Sequence, residues 1–218
     1  MRSLERLLGC TVRLSMAKRH DGSEDKDAQR APGRTALLLI DVINPLDFVD
    51  ADALAPSAFV AADRIRRLRD DADRLGVPVV YVNDNYGHWT SEREKIITEI
   101  RAASAGAERL VAQLAPRPHD YFVIKPQVSG FYATNLPVLL PRLGASRTVL
   151  AGFALDICVL FTAADAHMRD YDLWIPRDAV AGAHSERTTW ALEILEHSFG
   201  AETAPTGELS LQAWIDRG

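Results

Sequence analysis

Cysteine is scarce: the 218 residues contain two, Cys10 and Cys158. They are far apart, with one in the leading segment, so no disulfide framework is indicated and a reducing, cytoplasmic compartment is expected. No apolar run approaches the length of a membrane span, and no membrane partner is expected. Excess positive charge is missing too. The formal net charge is -5, and residues 1–34 hold eight Lys/Arg against five Asp/Glu, a local +3 that leaves -8 on the remainder. An acidic body of this kind argues against a nucleic-acid partner, which would need clustered Lys and Arg on the folded part. No glycine-rich loop follows the first apolar run, which weighs against a nucleotide-binding sheet. The first residues also lack the continuous apolar segment and small-residue cleavage site of a secretory signal. Residues 1–15 fit either an organelle-targeting segment or a stretch ahead of a true start at Met16. Lys18 to Gly33 is charged and almost free of large apolar side chains, so residues 1–34 are expected to form a disordered extension and residues 35–218 one folded domain.

From Thr35 the pattern turns regular. Ala36-Leu37-Leu38-Leu39-Ile40 is a continuous apolar run ending at Asp41, as in a strand buried on both faces of a parallel sheet. Ser57 is placed to cap a helix with apolar positions Val60, Ile65, Leu68 and Leu75, stopped by Gly76 and Pro78. Val77 to Val82 reads as a second strand. Ser91-Glu92-Arg93-Glu94 matches a capping box opening a helix through Ile96, Ile97 and Ile100, and a further helical patch surrounds Leu110 and Leu114. Tyr121 to Ile124 is a third strand, Leu136 to Leu143 a short helix, and Thr148 to Ala151 a fourth strand. A helix carrying Cys158 then runs to about Tyr171, Leu173 to Ile175 begins a fifth strand, and Ser185 caps a helix through Trp190 and Leu195. Such alternation predicts an α/β fold: a three-layer αβα sandwich on a mostly parallel, doubly wound sheet of about six strands.

Ligands of open parallel sheets collect at the carboxyl ends of the strands. Three chemically capable residues fall there: Asp41 after the first strand, Lys125 after the third and Cys158 after the fourth. Cys158 follows a glycine at the head of a helix, where free N–H groups and the helix dipole would favour a thiolate and receive the oxyanion of a carbonyl under attack. Each residue has an ordinary reading alone: a strand-end cap for Asp41, a surface lysine for Lys125, a core thiol for Cys158. Together they supply the base, cation and nucleophile that a cysteine hydrolase needs.

These residues carry a family resemblance. Leu38-Leu39-Ile40-Asp41-Val42-Ile43-Asn44, with Asp47-Phe48, resembles the opening strand and loop of the isochorismatase-like cysteine hydrolases. Lys125-Pro126-Gln127-Val128-Ser129-Gly130-Phe131, with Thr134 and Leu136, is similar to that family's lysine motif, and Gly152 to Val159 to its nucleophile motif. The resemblance spans about residues 35–205. It implies a catalytic triad of Asp41, Lys125 and Cys158, and an oxyanion hole from the Leu155 and Cys158 N–H groups arranged by a cis Ala154–Leu155 bond. It also implies a homo-oligomer. Leu155 stands where many relatives have threonine.

The implied chemistry is cysteine-dependent hydrolysis of a small amide, urea or carbamoyl C–N bond through a covalent Cys158 adduct, with no cofactor. Alternatives are vinyl ether hydrolysis of the isochorismatase type and a catalytically silent interaction subunit of the same fold. The nicotinamidase branch carries an Asp-x-His metal motif, whereas here Tyr86 follows Asp84 in the place of that histidine. Asp84 and His88 alone make a poor site, so no catalytic metal is expected. Asn44, Phe48, Trp89, Phe131 and Tyr132 are candidates for the wall of a substrate pocket. His167, Met168 and Trp190 read as packing or interface residues, and Asp156 as a helix cap.

Overall fold

The computed structural model describes residues 34–87 and 92–217. Six parallel strands form its sheet: β1 (Arg34–Ile40), β2 (Val79–Asp84), β3 (Tyr121–Lys125), β4 (Ala145–Phe153), β5 (Asp172–Trp174) and β6 (Val180–Ala181). They run in the order β3-β2-β1-β4-β5, with β6 paired to the end of β4. The helices are α1 (Ala51–Leu75), α2 (Arg93–Ala103), α3 (Ala105–Leu114), α4 (Leu136–Arg142), α5 (Leu160–His167), α6 (Ser185–Phe199) and α7 (Leu211–Asp216). A π-helical turn, Leu155–Val159, precedes α5.

The continuous apolar run of β1 has the expected cause. Leu37 and Leu39 enter one core with α1, α2, α3 and α7, while Ala36, Leu38 and Ile40 enter a second core with α4, α5 and α6. A strand alternates its side chains between faces, so a strand buried on both must be apolar throughout. Because β1 lies centrally, Asp41 emerges in the middle of the sheet's carboxyl edge.

Several local expectations are corrected. Helix α1 begins at Ala51, and Ser57 lies inside it, its hydroxyl donating to Leu54 O at 2.9 Å and Gly182 O at 3.1 Å. Alanines at 58, 61, 62 and 72 carry much of its buried stripe, whereas Val60 is 68% exposed. Helix α2 starts at Arg93 after Glu92, and Ser91 lies outside the described residues. Ser185 is the first residue of α6 and makes no side-chain cap; Asp156 sits within the π turn behind Ala154. Genuine caps come from Ser104 on α3 and Ser210 on α7, whose hydroxyls accept from Ala107 N and Ala213 N. Arg34 belongs to β1, and the rest of the expected N-terminal extension lies outside the described residues. His167 packs by stacking on Phe199 at 5.1 Å, while Met168 and Trp190 are exposed. No described helix is long and apolar enough to cross a membrane.

Candidate active site

The parallel register sets the site. Asp84 and Lys125 are cross-strand neighbours at the ends of β2 and β3, and Ile40 pairs with Gly152 just ahead of the nucleophile segment. Asp41, one residue beyond β1, adopts φ 49°, and its N–H donates to Val82 O at 2.9 Å. That left-handed turn is costly for a non-glycine residue and points to a constraint imposed by the surroundings.

Lys125 is fully buried, with its Nζ 2.9 Å from Asp41 Oδ2, 3.1 Å from Asp84 Oδ2 and 3.5 Å from Cys158 Sγ. Asp41 Oδ1 accepts from Asp84 N at 2.7 Å. The three residues read from the sequence are therefore brought together, and a fourth, Asp84, joins them.

Burial draws the Lys125 ammonium toward neutrality, but Asp41, Cys158 and Asp84 outweigh it and hold its pKa above the usual lysine range. Burial raises the Asp41 carboxyl against the lowering pull of Lys125, and the Asp84 charge adds to the rise. For Cys158, burial and the Asp41 charge push the thiol up more strongly than Lys125 pulls it down. The thiolate expected from the helix terminus is thus corrected: the resting arrangement is a thiol beside a carboxylate, with the ammonium against both.

The expected cis bond is also corrected, since no cis peptide occurs among the described residues. Trans is favoured by about 3 kcal/mol at a non-proline bond. Ala154 is extended, and its carbonyl accepts from Ile157 N and Val159 N at 3.2 Å each, leading directly into the π turn. Thr162 joins that segment to the lysine loop: its hydroxyl accepts from Gly130 N at 3.0 Å and donates to Cys158 O at 2.6 Å.

The residues proposed for a pocket wall separate. Asn44 is turned into its own loop, Nδ2 donating to Asp41 O at 3.4 Å and Oδ1 accepting from Leu46 N at 2.9 Å. Phe131 is buried in the second core, with Tyr171 at 6.2 Å and the Arg169 guanidinium over its ring, so it supports the lysine loop from beneath. Phe48 and Tyr132 are exposed, and Trp89 lies outside the described residues.

Asp84 and Tyr86 do not fit the metal motif. One Asp84 oxygen is paired with Lys125 and the other accepts from Tyr86 N at 2.8 Å, while Tyr86 Oη donates to Ile43 O at 2.8 Å. Burial and the nearby Asp41 and Asp84 charges hold the phenol pKa well above its ordinary value, so it remains a hydrogen-bond donor. His88 lies outside the described residues. Among those described, Asp73, His119 and Asp120 form another grouping of possible ligands. It lies by the amino ends of the strands, and Arg69 and Arg117 already engage its carboxylates.

Comparison with known proteins agrees with this architecture. The isochorismatase domain matches residues 35–206. The chain belongs to the isochorismatase family. It is a hydrolase of that family. The family's protein YaaI of Bacillus subtilis is 36% identical over 167 residues, covering 77% of this chain and 91% of that protein. The isochorismatase of the same organism is 30% identical, covering 74% of this chain and 53% of its own length. The N-carbamoylsarcosine amidase structure from Thermoplasma acidophilum superposes with TM-score 0.62 at 29% identity, covering 81% of this chain and 99% of that one.

Proposed function

We propose that the isochorismatase-family chain is a cysteine-dependent hydrolase of a small amide, urea or carbamoyl compound. The observation that carries this reading is the meeting of Asp41, Lys125 and Cys158 from three strand ends, with Lys125 Nζ 2.9 Å from the carboxylate and 3.5 Å from sulfur. Asp41 takes the Cys158 proton as sulfur adds to the carbonyl carbon, and Lys125 offsets the negative charge then shared by sulfur and the site. The Leu155 and Cys158 N–H groups are the donors proposed for the oxyanion, here with a trans Ala154–Leu155 bond in place of the cis arrangement that the resemblance implied. Collapse of the adduct breaks the C–N bond, and the leaving amine carries off the proton held by Asp41. Asp41 next deprotonates a water that attacks the thioester; the acid departs, and the proton returns to Cys158. The similarity to an N-carbamoylsarcosine amidase supports C–N cleavage.

The test is intact-mass trapping of an acyl adduct on Cys158 during a screen of small amides, ureas and carbamoyl compounds, with Cys158→Ala as control. Turnover abolished in a folded Cys158→Ala protein is expected; full activity in that variant would overturn the reading. The 30% identity to an isochorismatase favours a second reading, vinyl ether cleavage. Pyruvate release from isochorismate that persists in Cys158→Ala would select it.

A further inference from the structure

We propose that this site accepts neutral or cationic amide and carbamoyl compounds and turns away those bearing a carboxylate. The inference rests on the amidase reading for its reaction, and on the charges of the carboxyl edge for its selectivity.

The described loop segments at this edge are residues 41–50, 84–87, 126–135, 154–159 and 182–186. None of them contains a lysine or arginine, while Asp41, Asp47, Asp50, Asp84, Asp156 and Glu186 all fall within them. Lys125, at the end of β3, is already paired with Asp41 and Asp84. His184 faces Asp50 at 3.4 Å. The nearest arginines in sequence are directed elsewhere or lie farther along a helix: Arg93 donates to Pro116 O and Arg117 O, Arg177 to Thr203 and Glu196, and Arg187 stands on the exposed face of α6.

Proteins hold carboxylates with arginine forks, lysines or clusters of free N–H groups. Here the Ile157 and Val159 N–H groups of the π turn are taken by Ala154 O, and those of Leu155 and Cys158 serve the carbonyl under attack. The cluster sets two carboxylates, Asp41 and Asp84, against the single ammonium of Lys125, at 2.9 and 3.1 Å. The Asp84 side chain keeps 31% of its surface exposed, so its charge reaches the open side of the site. A substrate carboxylate would lose hydration, meet a like charge and find no lysine or arginine in these described loop segments to receive it. An amine or a neutral amide meets none of these penalties.

The rule is tested on Cys158 in a Cys10→Ser background with iodoacetamide and iodoacetate, each rate divided by that for N-acetylcysteine. At low salt, iodoacetamide is expected to be favoured by about tenfold or more over the free-thiol ratio, as a like charge within several ångström implies. That preference should shrink at about 0.5 M salt and in Asp84→Asn. A ratio at or below that of the free thiol overturns the proposal, as does faster iodoacetate labelling that disappears in Arg187→Gln. In parallel, kcat/KM is measured for succinamide, β-alaninamide and succinamate. Succinamate as the best substrate defeats the charge rule and leaves the amidase reading standing. No turnover of any amide, with alkylation still charge-selective, defeats the amidase reading and supports the charge rule.

Discussion

The backbone N–H of Asp84 donates to Asp41 Oδ1 at 2.7 Å, so the end of β2 holds the candidate base at the end of β1. The same residue's carboxylate takes Lys125 from the other side, 3.1 Å from Nζ. Both oxygens of Asp41 are thereby engaged, one by a neutral donor and one by a cation, and the proton of Cys158 must enter this prearranged network.

Asp41→Asn should separate two properties of Cys158. Turnover should fall by about 10²–10⁴-fold, because no group remains to carry the proton from thiol to leaving amine. Alkylation of Cys158 by iodoacetamide at about pH 7 should instead become faster. Burial is the largest force raising the thiol pKa and the Asp41 charge the next, so without that charge the downward pull of Lys125 meets less opposition. Parallel kinetics and mass-mapped labelling check both directions; slower labelling would contradict a thiol restrained by Asp41.

The pH profile of kcat/KM follows from the same charges. Asp41 must be ionised to act as base, and its raised pKa places the acid limb above the ordinary value of 3.8, with activity lost as pH falls through it. The thiol is raised above its ordinary 9.0 and Lys125 above 10.5, so activity should persist through the pH range in which a free cysteine ionises. A limb centred at the free-thiol value in a steady-state profile would oppose this assignment.

Lys125→Met should destabilise the fold by about 3–5 kcal/mol, the typical cost of leaving a buried ion pair without one partner. Asp41, also buried, loses its cation, and Asp84 loses the same one. Urea unfolding near neutral pH measures the difference. Lys125 has a raised folded-state pKa, so its stabilisation is present below about 10.5 and is lost as pH rises through the higher folded value. On the alkaline side, the gap between wild type and Lys125→Met should therefore close in strongly alkaline solution.

The buried central strand is legible as a continuous apolar run, and the candidate site is legible only through the joint placement of Asp41, Lys125 and Cys158 at strand ends, since each has an ordinary reading alone. Asp84 was visible as a residue but not as the partner of Lys125, since that pairing follows from the register of β2 and β3, which no local pattern reveals. Strand β6 has two residues and α7 six, too few to display a period. The start of α1 at Ala51 is hidden in the sequence because Pro56, tolerated near the beginning of a helix, interrupts an alanine-rich stripe that has little hydrophobic contrast. The state of the thiol is not legible in the sequence, because helix-end position is local, whereas burial and the approach of Asp41 are tertiary.

Gly152→Ala should be the most disruptive single-methyl change near the site. Gly152 has φ 129°, outside the ordinary range of L-residues, and a Cβ there would lie 2.0 Å from Ile40 O. The obstacle is backbone of the central strand, which cannot rotate aside as a side chain would. Relief requires β4 to move away from β1 one residue before Phe153, shifting the π turn and Cys158 relative to Asp41. Loss of more than about 3 kcal/mol of stability, or failure to fold, is expected by comparison with ordinary core overpacking. Gly207→Ala, whose added Cβ meets nothing within 4 Å, serves as the matched control and should keep both stability and activity near those of wild type. Equal denaturation midpoints for the two variants would show that β1 and β4 do not approach as closely as this site requires.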